Sequence, residues 1–208
     1  PKDIVSGDFY WMEKRGGNLF LAVADCTGHG VQGALISMLG VAILNEIVNK
    51  SYKEGPGEIL SQLSEKVKKV LHQSGGDSMQ DIREGMDMVL LKMNKEENLI
   101  EYAGAKNPVY IVHEGDITVY KGDKSPIGYF SKGTPFTTQS IQIGQGDSMY
   151  MFSDGYADQL GGEEMKKFLS KRFKKLLIDI EPLPMEQRKE KMLQNYNGAI
   201  LADAVGLG

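Results

Sequence analysis

One stretch constrains this chain more than any other: an apolar run that stops at an acidic, glycine-rich turn and passes straight into a long uncharged segment. Asn18 to Ala24 is a short apolar run ending at Asp25, consistent with a buried strand. Thr27-Gly28-His29-Gly30 is a tight turn. Val31 to Asn49 then carries small and apolar residues at helical spacing, without proline. The unit reads strand, acidic turn, buried helix. An aspartate at the end of an apolar strand is costly to bury unless something pairs with it.

That uncharged segment raises the question of a membrane span. From Cys26 to Asn45 it is interrupted by Gly28, Gly30, Gly33 and Gly40 and by Thr27, Gln32 and Ser37. It is therefore read as a buried helix after a turn, with no membrane insertion. Pro1-Lys2-Asp3-Ile4 does not resemble a secretion signal. The chain does not begin with Met and is expected to be a single domain, residues 1–208, excised from a larger protein and incomplete at both ends. Lys and Arg number 24 against 28 Asp and Glu, a net charge of -4, which disfavours a nucleic-acid partner. The one cysteine, Cys26, cannot form an internal disulfide and suits a reducing, cytoplasmic compartment.

The remaining pattern is α+β. Glu58 to His72 has amphipathic-helix spacing. Strands are expected over Met86–Met93, Leu99–Ala103, Val109–Val112, Ile117–Tyr120, Phe136–Ile143 and Ser148–Phe152, with a hairpin turn at Glu114-Gly115-Asp116. Further helices are expected over Glu163–Ile178 and Met185–Asn195.

The chemistry is expected where acidic residues sit at strand ends beside glycines. These are Asp8 in Ser6-Gly7-Asp8, Asp25 before Gly28-His29-Gly30, and Asp154 in Ser153-Asp154-Gly155. Hard divalent cations prefer oxygen ligands, and carboxylates from separate strand ends can converge on them. Asp154-Gly155 alone is most often just a turn and Ser6-Gly7-Asp8 alone is as weak; Asp25 with Gly28-His29-Gly30, between strand and helix, is more specific, and the three together are far more so. His29 reads as a helix-capping or space-filling residue, or else as a proton donor to a leaving group. His72 and His113 read as surface residues. Tyr10, Trp11, Met12 and Met38 read as packing residues.

Taken together, these motifs resemble the metal-dependent serine/threonine protein phosphatases, the PPM or protein phosphatase 2C superfamily. The similarity is strongest to the bacterial sporulation and stress-response branch (SpoIIE- and RsbU-like). It is carried by VSGDFYW at 5–11, LAVADCTGHGVQGALISM at 21–38, MVLLKMNKEENLIEYAGAKNPVYIV at 88–112, KSPIG at 124–128 and MYMFSDGYAD at 149–158. The resemblance implies an αββα sandwich, two central antiparallel sheets flanked by helices, with metals at one edge. It implies two Mn2+ or Mg2+ ions, with Asp25 bridging them, the Cys26 carbonyl as a further ligand, and Asp8 and Asp154 binding directly or through water.

Two cations about 3.5–4 Å apart can hold a bridging water, lower its pKa and neutralise phosphoryl charge. Asp8, Asp25 and Asp154 would then act through metal-bound water, with in-line attack and no phosphoenzyme. A cysteine phosphatase would need an arginine-containing phosphate loop, and Thr27-Gly28-His29-Gly30-Val31 supplies none.

The family's final acidic pair is represented by Asp203 alone, with Ala204 in the second place. Asp203 is the fifth candidate ligand, and this departure motivates an alternative: a phosphatase-like module that binds a partner without turnover. A metal hydrolase of small phosphoesters is a second alternative. The resemblance further implies a phosphorylated regulatory protein of the anti-sigma-factor antagonist type as substrate. It also implies upstream sensor or linker domains that act through the helices framing Asp25, tethered to a membrane receptor in some arrangements. An exposed edge strand would favour a homodimer.

Overall fold

The computed structural model of the chain describes residues 6–28, 30–73, 84–94, 99–128, 135–158, 160–161 and 166–195. Two antiparallel sheets are stacked between two helical layers. The larger sheet runs β1 (Phe9–Arg15), β2 (Asn18–Cys26), β3 (Gly85–Asn94), β4 (Leu99–Ala105) and β8 (Gln139–Gln142), with β7 (Ile127–Gly128) pairing the start of β3. The smaller sheet is β6 (Asp116–Tyr120), β5 (Val109–His113) and β9 (Ser148–Tyr150). A short ribbon pairs β10 (Leu160–Gly161) with β11 (Lys166–Lys167).

The period-2 alternation of β2 explains the layering. Phe20, Ala22, Ala24 and Cys26 point into a core shared with α1 (Gly30–Ser51) and α2 (Pro56–Val70). Leu19 and Leu21 point the other way, into a core between the sheets with Val89, Leu91, Ile100 and Ile111. A third core lies outside the smaller sheet, where Tyr110 and Val112 meet Phe173, Leu177 and Ile180 of α4 (Leu169–Ile180). Three stacked cores make four layers, the αββα sandwich expected from the resemblance. Each fully buried Leu, Ile or Phe contributes about 1.5–3 kcal/mol.

Helix α1 is long and apolar enough to cross a membrane by length and composition. Here Gly33, Ile36, Gly40, Ile43, Leu44, Ile47 and Val48 bury one face against the sheet. Asn45 of this helix accepts a 2.8 Å hydrogen bond from the Trp11 indole N–H of β1. Helix α2 starts with Pro56, where a missing N–H costs nothing, and ends with Lys68 and Lys69 near its negative pole. Arg188 of α5 (Met185–Gln194) donates to Ser148 Oγ at 2.6 Å and to the Leu183 carbonyl at 2.7 Å, tying this helix to β9.

Several sequence expectations need correction. Phe9–Arg15 forms a strand that its mixed polar pattern concealed, turning through Gly16 and Gly17 at φ 58° and 82°. The lysine-rich helix begins at Leu169, and Lys166–Lys167 are extended. The strand expected over Phe136–Ile143 is reduced to β8, because Phe136 packs beneath α2. Trp11 is a packing residue, but Tyr10, Met12 and Met38 are exposed at 59%, 49% and 68%. Tyr10 and Met12 lie on an edge strand of the larger sheet, which the three-stranded sheet is too narrow to cover. His72 and His113 are surface residues as expected, His113 Nδ1 lying 2.6 Å from Asp147 Oδ1.

Candidate metal centre

The strand register builds the site. β1 pairs with β2 through Phe9 and Ala24, so one further step sets Asp8 beside Asp25. β2 pairs with β3 through Asp25 and Asp87. Directly opposite residues share a face, so Asp8, Asp25 and Asp87 form a row across three strand ends. The preceding row, Phe9, Ala24 and Met88, packs against the helices. The acidic row therefore faces the smaller sheet, at the rim where the inter-sheet core ends.

Asp154 arrives from that opposite sheet, in the loop between β9 and α3 (Gly155–Asp158). Aromatic packing pins this loop on both sides. Phe152 packs edge-on against Tyr110 and Phe173 with centroids 4.6 and 5.0 Å away. Tyr156 stacks on Phe173 at 4.8 Å and donates its hydroxyl to the Met192 carbonyl at 2.9 Å. Ser153 closes the gap between the sheets by donating to Asp8 Oδ2 at 2.8 Å.

Burial, then the charges of Asp8 and Asp154, push the Asp25 carboxyl up to about 8, and both neighbours share hydrogen bonds with it. Three expected residues are thus brought together from chain positions far apart. The Asp87 carboxyl is also raised, mainly by burial; Lys106 opposes the shift and Asp154 adds to it. Sequence reasoning missed Asp87. It sits inside the apolar run of β3, and only the β2–β3 register reveals that it faces the site.

Cys26 contributes differently. Its side chain lies in the helix-side core, and burial followed by Asp25, Asp8 and Glu84 pushes the thiol up to about 12. Its carbonyl faces the Asp8 loop: a Cβ placed on Gly7 would lie 3.2 Å from that oxygen. The turn after it is held by a cluster that the sequence did not reveal. Thr27 N–H donates to the Gly85 carbonyl at 2.9 Å, and the Gly85 N–H donates to Thr27 Oγ1 at 2.8 Å. Glu84 accepts from the Thr27 hydroxyl and, at 2.6 Å, from Gln32 Nε2. Gly28 takes φ 87°, a conformation closed to most side chains. His29 and Asp203 lie outside the described residues.

The donor set is carboxylates with a backbone carbonyl, the oxygen chemistry that Mg2+ and Mn2+ prefer. Among the described residues no group of three His, Cys, Asp or Glu side chains is drawn around a common point. The carboxylates instead share hydrogen bonds, which is how crowded acids relieve repulsion by retaining a proton. A divalent cation relieves the same repulsion more completely, so the residues fit the group.

Known proteins give the family. A family profile described as Stage II sporulation protein E (SpoIIE) matches residues 15–204. The chain belongs to the SpoIIE family. The SiaA PP2C domain of Pseudomonas aeruginosa is 28% identical with a TM-score of 0.81, over 93% of this chain and 74% of that one. The PP2C phosphatase domain of SpoIIE from Bacillus subtilis, with a fragment of its regulatory domain, is 17% identical with a TM-score of 0.68. That similarity covers 94% of this chain and 54% of the other. RsbX in complex with magnesium is 16% identical with a TM-score of 0.63, over 94% and 82% of the two chains. The last two similarities speak to the fold alone. No curated protein matches the chain. Family and fold are those of PP2C-type bacterial serine/threonine phosphatases.

Proposed function

We propose that this SpoIIE-family domain is a metal-dependent phosphoserine/phosphothreonine protein phosphatase of bacterial signalling. The observation that carries the reading is the meeting of Asp8, Asp25 and Asp154 at one rim of the sandwich. Asp25, Asp8, Asp154 and the Cys26 carbonyl would hold two Mn2+ or Mg2+ ions, with Asp203 as a further ligand. Bound there, such ions would neutralise phosphoryl charge and activate the attacking water. The magnesium complex of RsbX supports the choice of ion class.

The chain's own residues divide the remaining work. Ser153 orients Asp8 through its hydroxyl. The Thr27–Glu84–Gln32 cluster fixes the turn after Asp25, so the carboxylate and the Cys26 carbonyl keep their relative direction. The Cys26 thiol stays protonated and turned into the core, which removes it as a nucleophile.

The substrate we infer is a phosphorylated anti-sigma-factor antagonist, dephosphorylated in the cytoplasm under the control of upstream sensor or linker domains. The solved RsbU and RsbW domains of one Mycobacterium tuberculosis protein support that setting, at 19% identity and a TM-score of 0.71. A second reading, a partner-binding module without turnover, is favoured by Ala204 standing where the family carries a second acidic residue.

Hydrolysis of a phosphoserine peptide with Mn2+ or Mg2+ tests the proposal. Activity is expected to vanish with a chelator and with Asp25→Asn. Turnover that survives chelation would overturn the metal mechanism. Peptide binding without turnover, at saturating metal, would establish the second reading.

A further inference from the structure

The acidic row continues one strand further and changes sign. Met88 of β3 pairs with Ala105 of β4, so the next position beside Asp87 is Lys106. Its Nζ lies 3.2 Å from Asp87 Oδ1 and the side chain is 47% exposed. Adjacent strands are about 4.8 Å apart, which puts the Lys106 backbone roughly 10 Å from that of Asp25. A lysine's flexible four-carbon stem spans much of that gap. Asp154 acts on the same Asp87 carboxyl from across the rim, so the ammonium borders the site.

The backbone at this position is unusual. Lys106 has φ 61°, a region that disfavours any residue with a Cβ. Backbone hydrogen bonds hold it there: Lys106 N–H donates to the Asp123 carbonyl at 2.7 Å, and Asn107 N–H to the Ala105 carbonyl at 2.8 Å. Strain maintained by its surroundings in this way clusters at functional sites. The charge balance gives Lys106 a task. The described carboxylates of Asp8, Asp25, Asp87 and Asp154 already match the charge of two divalent ions, and Asp203 as a ligand would add one more negative charge, which leaves no net attraction for an incoming phosphomonoester dianion.

We propose that Lys106 contacts the substrate, its ammonium binding a phosphoryl oxygen on the β4 side of the acidic row. Asp87 holds the ammonium in place before the phosphate arrives. The inference rests on the phosphatase reading and names how that site takes its phosphate. Lysine serves here as a point charge for phosphate.

The test compares Lys106→Asn, which tolerates the left-handed backbone, with Lys106→Arg, which keeps the charge. KM for a phosphoserine peptide and the affinity for inorganic phosphate, measured by calorimetry on the magnesium-loaded protein, are read alongside kcat and thermal midpoint. In Lys106→Asn, KM is expected to rise and phosphate affinity to fall by about tenfold or more, as for loss of a charged hydrogen bond, with kcat less affected. Lys106→Arg is expected to recover most of both. Unchanged KM and phosphate affinity in Lys106→Asn would overturn the proposal. Equal losses in the two variants would show that positive charge at this position does not carry the effect and would overturn it as well. A wild-type protein that binds phosphate through Lys106 but leaves phosphopeptide intact would support the contact and sink the phosphatase reading.

Discussion

The two ends of the β2–β3 ladder share strands, register and face, yet they are built from opposite materials. Along the inter-sheet face the opposed pairs run Leu19–Met93, Leu21–Leu91, Val23–Val89 and then Asp25–Asp87. Leu19, Met93, Leu91 and Val89 are buried in the inter-sheet core and Leu21 packs against it half-buried, while the last pair lies at the rim. Opposed hydrocarbon side chains attract, whereas like charges directly opposite repel. The ladder therefore spends stability at one end that it gains along the rest. A rigid apolar stem presents carboxylates at fixed spacing, and the repulsion between them is what a divalent cation can relieve.

The largest expected effect comes from removing charge at the acidic end. Asp25→Asn should lower metal-dependent phosphatase turnover by at least about a hundredfold. The same change should raise the thermal midpoint of the chelator-treated protein by roughly 2–4 °C, as for about 1 kcal/mol in a domain of this size. A variant that loses both activity and stability would mean that the acidic end is not strained. At the apolar end, Leu91→Ala should cost about 2–5 kcal/mol in urea unfolding. Turnover per folded molecule should survive, since Leu91 is fully buried between the sheets. Collapse of turnover without loss of stability would contradict the division between stem and rim.

The pH dependence sharpens the contrast. The Asp25 carboxyl moves from 3.8 to about 8 on folding, so the metal-free folded state holds a proton that the unfolded chain has released. Its contribution to stability is fully present below about 3.8 and is lost as pH rises through about 8. Chelator-treated protein should therefore melt at a lower temperature at pH 8 than at pH 5. Saturating Mg2+ should reduce or reverse that trend by displacing the proton. A midpoint that climbs over this range without metal would show that Asp25 is ionised there. The smallest effect concerns the residue next in sequence. Cys26, with its thiol at about 12, should react with iodoacetamide far more slowly in the folded protein than in urea, followed by mass spectrometry.

What the sequence revealed follows from what is local. The strand, acidic turn and helix around Asp25 occupy contiguous residues, and each carries its own signal: apolar run, glycines at a turn, helical spacing. Asp8 and Asp154 were legible as carboxylates beside glycines, and the family resemblance brought them together. Asp87 was not, because a lone acid inside Met86–Met93 declares no partner until the register is known. Lys106 lay hidden in a turn, Gly104 to Pro108, whose composition suggested only a change of direction. Met38 was misread because α1 is apolar on nearly all sides, so periodicity cannot say that Val31, Leu35 and Met38 face outward. Phe9–Arg15 was missed because an edge strand with one uncovered face has no clean alternation to detect.

One contact beneath the site has a mechanical meaning. A Cβ on Gly33 would meet the Gly7 Cα at 3.1 Å and the Gly28 carbonyl oxygen at 3.0 Å. Bare backbone of a 22-residue helix thus rests on the segment leading to Asp8 and on the turn following Asp25. There is no side chain in between to act as a cushion. Helix α1 is seated on a contact of three glycines, and a single added methyl group would be a wedge beneath it. The seating of the rod and the aim of the carboxylates are, in this molecule, one adjustment.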